Sequence, residues 1–217
     1  EGGGANTAFG VIQDITERRD AEARLSYQAH FDLRTGLPNR VLFCDRVMTA
    51  IDAASREGGR FAVLQLRTDA LGKISAAASS AVGDHVLKAL AGRIAGVLRS
   101  CDTLCRLEDE CFAALLPDVD SETEAGQIVS RLIEAFAGPM AVDDWEVISA
   151  IDVGIALFPG DGEDVDTLLQ RAGAALARVR EQGQPESCYQ FYAEGIQQRV
   201  AHQIATQVAL YRGLERD

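Results

Sequence analysis

The feature that most constrains the fold is a pair of short apolar runs on either side of an acidic turn. The runs cover residues 103–107 and 112–116, and Glu108, Asp109 and Glu110 lie between them. Two strand-like runs with so short a polar connection predict a β-hairpin. A hairpin argues against a helical bundle, and the helices that alternate with the strands elsewhere in the chain argue against a closed barrel of strands alone.

Helical patterns alternate with strands along the rest of the chain. Residues 82–98 repeat apolar side chains at helical spacing, and residues 125–136 form a second amphipathic stripe. Pro38 suits the first turn of a helix that Gly58 and Gly59 end. Other helices are predicted at 17–27, 165–179 and 195–214, and other strands at 9–12, 61–66, 147–158 and 189–192. This order predicts an α/β (α+β) fold with a central, mostly antiparallel sheet of about five strands, covered by helices and flanked by helices.

Composition excludes several classes of function. The 217 residues carry a formal net charge of -12, which disfavours nucleic acid as a partner because its phosphates would be repelled. No apolar run approaches the length of a membrane span, and the start lacks a signal-peptide pattern. Five cysteines, an odd number, favour a reducing cytoplasm. Cys101, Cys105 and Cys111 lack zinc-finger spacing, and His30 and His85 read as structural or surface groups.

Several motifs occur in an order that resembles one family. They are Phe31–Arg40, which reads FDLRTGLPNR; Val82-Gly-Asp84 with Leu87; Arg106-Leu107, Phe112 and Leu115-Leu-Pro117 around the hairpin; Ile151–Pro159 with Asp161-Gly162; Gln182-Gly183; and Tyr189-Gln-Phe191. Together they are similar to the GGDEF (diguanylate cyclase) family, and Arg34 stands where its opening motif carries leucine. The resemblance implies the nucleotidyl-cyclase-like GGDEF fold over residues 29–193.

The flanks resemble the neighbours that such domains often have. Residues 1–28, which contain GVIQDITERR, resemble the end of a PAS sensor domain and its exit into a signalling helix. Residues 194–217 resemble the linker that leads into an EAL phosphodiesterase domain. The alternative at each end is a plain capped amphipathic helix. The expected partners are therefore adjacent PAS and EAL domains of the same protein, with a homodimer as a further expectation.

The resemblance also shows which catalytic residues have changed. The family condenses two GTP molecules to cyclic di-GMP with a divalent metal, and one metal ligand is an aspartate at the end of the first strand. Arg67 stands at that place, where a cation repels a metal ion. Asp69 keeps an acidic position that is not the usual ligand. Ser75 and Ala76 replace the residues that read guanine, and Ser79 and Ser80 replace the following Gly-His pair.

The signature itself departs from the family pattern. Glu108 and Asp109 replace two glycines, and they add bulk and negative charge where an anionic substrate would approach. Glu110 keeps a carboxylate as the residual candidate for a metal ligand, Cys111 replaces an acidic residue, and Phe112 is retained. A one-residue slip would align Asp109 and Glu110 with the acidic pair but restores neither glycine. Farther on, Arg180 falls near the family's phosphate-binding lysine, or is a solvated cation at a helix end.

One binding motif of the family is retained. Arg99 and Asp102 form an RxxD pattern five residues before the signature, where the family has its product-inhibition site. Arginine binds guanine or phosphate through paired hydrogen bonds, and aspartate accepts from guanine N–H groups. The pattern predicts a cyclic di-GMP site, and the alternative is a local pair at a helix end.

The sequence therefore predicts a regulatory GGDEF-like domain without catalytic residues. Such a domain needs no cofactor, and Mg²⁺ enters only if cyclase activity remains. It would relay a sensor signal to a phosphodiesterase domain and bind cyclic di-GMP at Arg99 and Asp102. The alternatives are a weakly active diguanylate cyclase that uses Glu110, and a domain that binds GTP without reacting it.

Overall fold

The computed structural model describes residues 16–73, 80–181 and 187–192. The predicted strand at 9–12, the predicted helix at 195–214, and Ser75, Ala76 and Ser79 lie outside these residues. The elements are α1 (Thr16–His30), α2 (Arg40–Glu57), β1 (Phe61–Thr68), α3 (Ala70–Lys73), α4 (Ser80–Ala95), β2 (Thr103–Glu108), β3 (Cys111–Pro117), α5 (Glu122–Phe136), β4 (Met140–Val142), β5 (Trp145–Val147), β6 (Ile151–Phe158), α6 (Val165–Glu181) and β7 (Tyr189–Phe191).

A five-stranded sheet forms the centre, in the order β2-β3-β1-β6-β7. All neighbouring strands are antiparallel except β6 and β7, which are parallel. The prediction of a mostly antiparallel sheet of about five strands is confirmed. β1 lies in the middle, and its last residues, Arg67 and Thr68, end beside the turn between β2 and β3.

The sheet separates two hydrophobic cores, and alternate side chains of β1 belong to one or the other. Leu64 and Leu66 face α4 and α5, where Leu87 and Leu132 are fully buried. Val63, on the opposite face, packs in the core that α2 and α6 close. Covering both faces of one sheet with helices explains why β1 is apolar along most of its length.

The second helix begins later than predicted. Pro38, predicted in the first turn, lies before the helix, and Asn39 caps α2: its side-chain oxygen accepts from the backbone N–H of Leu42 at 3.1 Å. Pro38 lies just outside the helix and pairs with Phe31 in an isolated β-bridge. The end is as predicted, because Gly58 closes α2 at φ 71°, a backbone conformation that glycine adopts without strain.

The prediction of a single long strand at 147–158 is wrong. Val147 ends β5, which pairs with β4 in a separate two-stranded sheet, and β6 starts only at Ile151. Between them, the Ser149 hydroxyl and the Ala150 N–H both donate to Asp69 Oδ1, at 3.2 and 3.0 Å. These bonds turn the backbone out of the strand conformation.

Among the described residues, no helix has both the length and the apolar character that crossing a bilayer requires.

Candidate functional site

The turn of the β2–β3 hairpin is tighter than the sequence suggests. β2 continues through Glu108, which pairs with Cys111, so that Asp109 and Glu110 alone form the turn. Asp109 has φ 37°, a left-handed conformation that is uncommon for residues other than glycine. Glu108 and Asp109 are exposed, and Glu110 is half-buried. Phe112, the last signature residue, is fully buried in the core.

A buried arginine hydrogen-bonds to the turn between β2 and β3. Arg106 is 8% exposed, and its Nε donates to the Asp109 carbonyl at 2.9 Å. Its Nη1 donates to Asp32 Oδ2 at 2.8 Å. Burial raises the pKa of Asp32, but hydrogen bonds from Thr35 and the charge of Arg106 outweigh it and leave that pKa below its usual value. The hairpin is thus joined to the loop that follows α1.

Glu110 turns its carboxylate toward the end of β1. Oε1 accepts from the Leu71 backbone N–H at 2.6 Å and from the Thr68 hydroxyl at 3.2 Å. Burial raises the pKa of Glu110, against these two hydrogen bonds, which lower it. The carboxylate therefore holds β1 and α3 against the hairpin.

Arg67 lies in a row across three strands. It is exposed and stands opposite Cys111 on β3 and Asp152 on β6. Burial raises the pKa of Cys111, so its thiol stays protonated and uncharged near neutral pH. Burial also raises the pKa of Asp152, which the nearby charge of Arg180 partly offsets.

Asp69 has a structural role. Its Oδ2 lies 2.8 Å from Lys73 Nζ, and its Oδ1 accepts from Ser149 and Ala150. The carboxylate is thereby committed to the connection between β5 and β6.

Arg99 and Asp102 lie at the other end of β2, about 20 Å from the turn at the usual rise per residue. Asp102 Oδ2 accepts from the backbone N–H of Arg99 at 2.6 Å. The guanidinium of Arg99 points elsewhere, with Nη2 3.6 Å from Glu124 Oε1. The contact therefore joins the Asp102 carboxylate to the main chain of Arg99 and not to its guanidinium.

Sequence comparison decides the family. The family model for "Diguanylate cyclase, GGDEF domain" matches residues 29–186, most of the chain. The chain belongs to the GGDEF domain family.

Relatives of this GGDEF domain come from cyclic di-GMP signalling. The bifunctional diguanylate cyclase/cyclic di-GMP phosphodiesterase MucR of Pseudomonas aeruginosa is 32% identical over 196 residues, which are 90% of this chain and 28% of that protein. The diguanylate cyclase TpbB of the same species is 34% identical over 165 residues, 76% of this chain and 38% of that protein. This chain thus spans well under half the length of these relatives.

A solved structure shares the fold. The truncated TpbB of Pseudomonas aeruginosa that comprises only the GGDEF domain superposes with a TM-score of 0.70 at 31% identity, over 76% of this chain and 95% of that one. The prediction of the GGDEF fold from the order of short motifs is confirmed.

The side chains at this GGDEF signature do not fit a divalent metal. Arg67 brings a cation to the end of β1, the Glu110 oxygen already accepts two hydrogen bonds, and the Cys111 thiol is uncharged. Within residues 16–73, 80–181 and 187–192, no three His, Cys, Asp or Glu side chains are placed to hold a metal ion together. No chemical step through a metal follows from this donor set.

Among the ion pairs that sequence reasoning missed, two connect distant motifs of the domain. Asp32 pairs with Arg106 across 74 residues, and Arg34 pairs with Asp84 across 50. Each of these four residues lies in or beside a family motif, which was the only signal available. Nothing in the motif spacing shows which charges meet.

Proposed function

We propose that this GGDEF domain synthesises no cyclic di-GMP and acts as a regulatory module in cyclic di-GMP signalling. In this proposal it relays a signal from a preceding PAS domain to a following EAL phosphodiesterase domain. MucR, whose name combines both activities of cyclic di-GMP metabolism, supports placing such a module in a larger protein.

The observation that carries the proposal is the state of the signature carboxylate. Glu110 is the one acidic residue retained there, and its Oε1 is bound by the Leu71 amide and the Thr68 hydroxyl. Arg67 adds positive charge beside it: burial raises the pKa of Glu110, and the charge of Arg67 acts in the opposite direction. A metal ion bound through Oε1 would compete with these hydrogen bonds, and it would lie close to a guanidinium, which electrostatics disfavours.

The test is direct. The purified chain is incubated with GTP and Mg²⁺, and the products are separated by chromatography, with TpbB as the active control. We expect no cyclic di-GMP above a blank without protein. Turnover clearly above the blank would reject the proposal.

The named activity of TpbB, at 34% identity, favours one alternative, a weak cyclase that depends on Glu110. It predicts turnover that Glu110→Ala abolishes and that Asp45→Ala, at an exposed position on α2, leaves unchanged. The third candidate, a domain that senses GTP, predicts that GTP raises the melting temperature of the chain. No shift at millimolar GTP would reject that candidate.

We further propose that Arg99 and Asp102 bind cyclic di-GMP. Asp102 is held close to Arg99 by the bond to its backbone N–H. The Arg99 guanidinium is half-exposed, and its contact with Glu124 is long. Exposed ion pairs of this kind are worth about 1 kcal/mol or less, so a phosphate could take the place of Glu124 at small cost.

Calorimetric titration with cyclic di-GMP tests this site. We expect saturable binding that Arg99→Ala removes. Glu124→Gln is the matched variant: it frees the guanidinium from its competitor, so we expect binding about 3-fold tighter, a change within the range for an exposed ion pair. Absence of binding to the unmodified chain would reject the site and leave the relay proposal standing.

A further inference from the structure

A second ion pair joins the loop after α1 to the start of α4. Nε of Arg34 donates to Asp84 Oδ1 at 2.5 Å, and both side chains are about two-fifths exposed. A Cβ added to Gly83 would lie 3.8 Å from Arg34 Nη2, so the guanidinium also lies against the backbone of this turn. Arg34 is the residue at which this chain departs from the family's opening motif, so the pair belongs to this chain rather than to that motif.

The loop that carries Arg34 is a junction of three elements. Asp32 joins it to the hairpin through Arg106. Arg34 joins it to α4. The Asn39 side chain donates to the Ala29 carbonyl at 3.0 Å, and this bond holds the loop to the last turn of α1.

The end of α1 is joined to this loop by an aromatic contact and a backbone hydrogen bond. The described side chains of α1 are all exposed. Near its end, Tyr27 stacks on Phe31 with ring centroids 4.6 Å apart, and the His30 carbonyl accepts from the Asn39 N–H at 2.8 Å. A change in the direction of α1 would therefore be felt at this loop.

α4 is suited to carry a change at the loop across the domain. Its sixteen residues span about 24 Å, and Val86, Leu87 and Ile94 are fully buried along its length. The chain reaches Arg99 only four residues after the helix ends. Because close-packed interiors transmit strain, a displacement at Asp84 is carried along the buried face of this helix.

We propose that Arg34 is a positioning residue that couples the orientation of α1, through Asp84 and α4, to the Arg99–Asp102 segment. The coupling rests on the relay proposed above, and its contacts are separate from the Asp32–Arg106 pair that joins the same loop to the hairpin. Such a coupling is reciprocal, so a ligand at Arg99 and a signal at α1 would each bias the other.

Hydrogen exchange of the whole chain tests this coupling without any ligand, so its outcome does not depend on cyclic di-GMP binding or on cyclase activity. The variants are Arg34→Leu, Asp84→Asn and both together. We expect each single variant to speed amide exchange at least 3-fold at the end of α1 and also in residues 95–102. The double variant should add nothing further, because both changes remove the same contact.

His85→Leu is the matched control. It removes another half-exposed pair from the next residue of the same helix, His85 with Asp143 at 2.6 Å, which leads to the β4–β5 turn instead. We expect this variant to leave exchange in α1 unchanged. Charge reversal, Arg34→Asp with Asp84→Arg, should restore slow exchange at both distant segments.

Three results would overturn the proposal. They are faster exchange confined to the residues around 34 and 84, additive effects in the double variant, and an equal effect of His85→Leu on α1. Each would reduce the pair to an ordinary surface contact.

Discussion

Arg106 is the one charged residue among the buried polar side chains of the described chain. Its guanidinium is compensated by Asp32 and by the Asp109 carbonyl. Taking away one partner of a buried pair leaves the other charge without compensation. The opening motif and the signature hairpin thus depend on each other through a single side chain.

Asp32→Asn is therefore expected to lower the free energy of unfolding by about 3 kcal/mol. Urea denaturation measures this change. Asp45→Asn is the control, because Asp45 is exposed on α2 and its variant should fall within about 0.5 kcal/mol of the unmodified chain. Equal stabilities of the two variants would show that the Arg106 contact is energetically neutral.

Glu110 gives a pH dependence of opposite sign to that of Asp32. Its pKa is raised above 4.5 by burial, so the folded state holds this proton more tightly than the unfolded state does. The contribution is favourable below the unfolded pKa and is lost as pH rises through the folded value. The pKa of Asp32 is lowered, so its stabilisation is present above 3.8 and is lost on acidification.

We expect Glu110→Gln to be more stable, relative to the unmodified chain, at pH 7 than at pH 4. The glutamine oxygen can still accept from Leu71 and Thr68. Denaturant unfolding at the two pH values gives the comparison, and Glu108→Gln at the exposed neighbouring position is the control. A stability difference that does not change with pH would contradict the raised pKa.

At the scale of elements, the backbone of α6 packs directly against Gly154 of β6. A Cβ at Gly154 would lie 2.1 Å from the Ala172 carbonyl oxygen and 2.4 Å from the Leu176 nitrogen. These atoms are backbone, so only a displacement of the whole helix could relieve the clash.

Gly154→Ala is expected to destabilise the domain by about 3 kcal/mol or more, the upper end for overpacking. Thermal and urea unfolding measure it. Gly92→Ala is the matched control: Gly92 is an exposed position in α4 with nothing within 4 Å of an added Cβ, so the same change should stabilise by about 1 kcal/mol. A mild effect at position 154 would mean that α6 can move.

The elements that periodicity could predict are the ones whose side chains face a core. Val86, Leu87, Leu90 and Ile94 recur at helical spacing because α4 buries one face, and that pattern is visible in the sequence. The break at Ser149 was not predictable, because it depends on Asp69, 80 residues away. Val147 continues the apolar pattern of β6 although it belongs to another sheet.

The same distinction applies to the candidate site. The identities of Arg67, Glu110 and Cys111 were readable from their places in the motifs. What Glu110 binds was not readable, because its partners Thr68 and Leu71 lie about 40 residues earlier in the chain. The guanidinium of Arg99 likewise contacts a helix that the RxxD pattern does not contain.

At the scale of the whole molecule, the β4–β5 hairpin is tied to the main body by both core and polar contacts. Met140, Val142 and Val147 belong to the core beneath α4 and α5. Arg93 of α4 donates to the carbonyls of Gly138 and Pro139, at 2.8 and 2.7 Å. The small sheet should therefore unfold together with the large one.

The single tryptophan of the chain, Trp145, lies on this hairpin and is 49% exposed, so its fluorescence reports on the small sheet alone. We expect its urea transition to coincide with the loss of helical circular dichroism, the mark of two-state unfolding. An earlier fluorescence transition would show that the hairpin opens separately. The control variant Trp145→Phe should leave the urea midpoint of the circular dichroism transition unchanged.

The exposure of α1 has a consequence for how a sensor domain could be attached. Side chains 24–30 of this helix are exposed, so a foreign helix joined just before them would leave both cores packed as they are. Such a splice would change the rotational orientation of the attached domain, since each inserted residue turns it by about 100° around the helix axis. A library that varies only the number of residues before Tyr27 would sample the full circle of input orientations against an unchanged output domain.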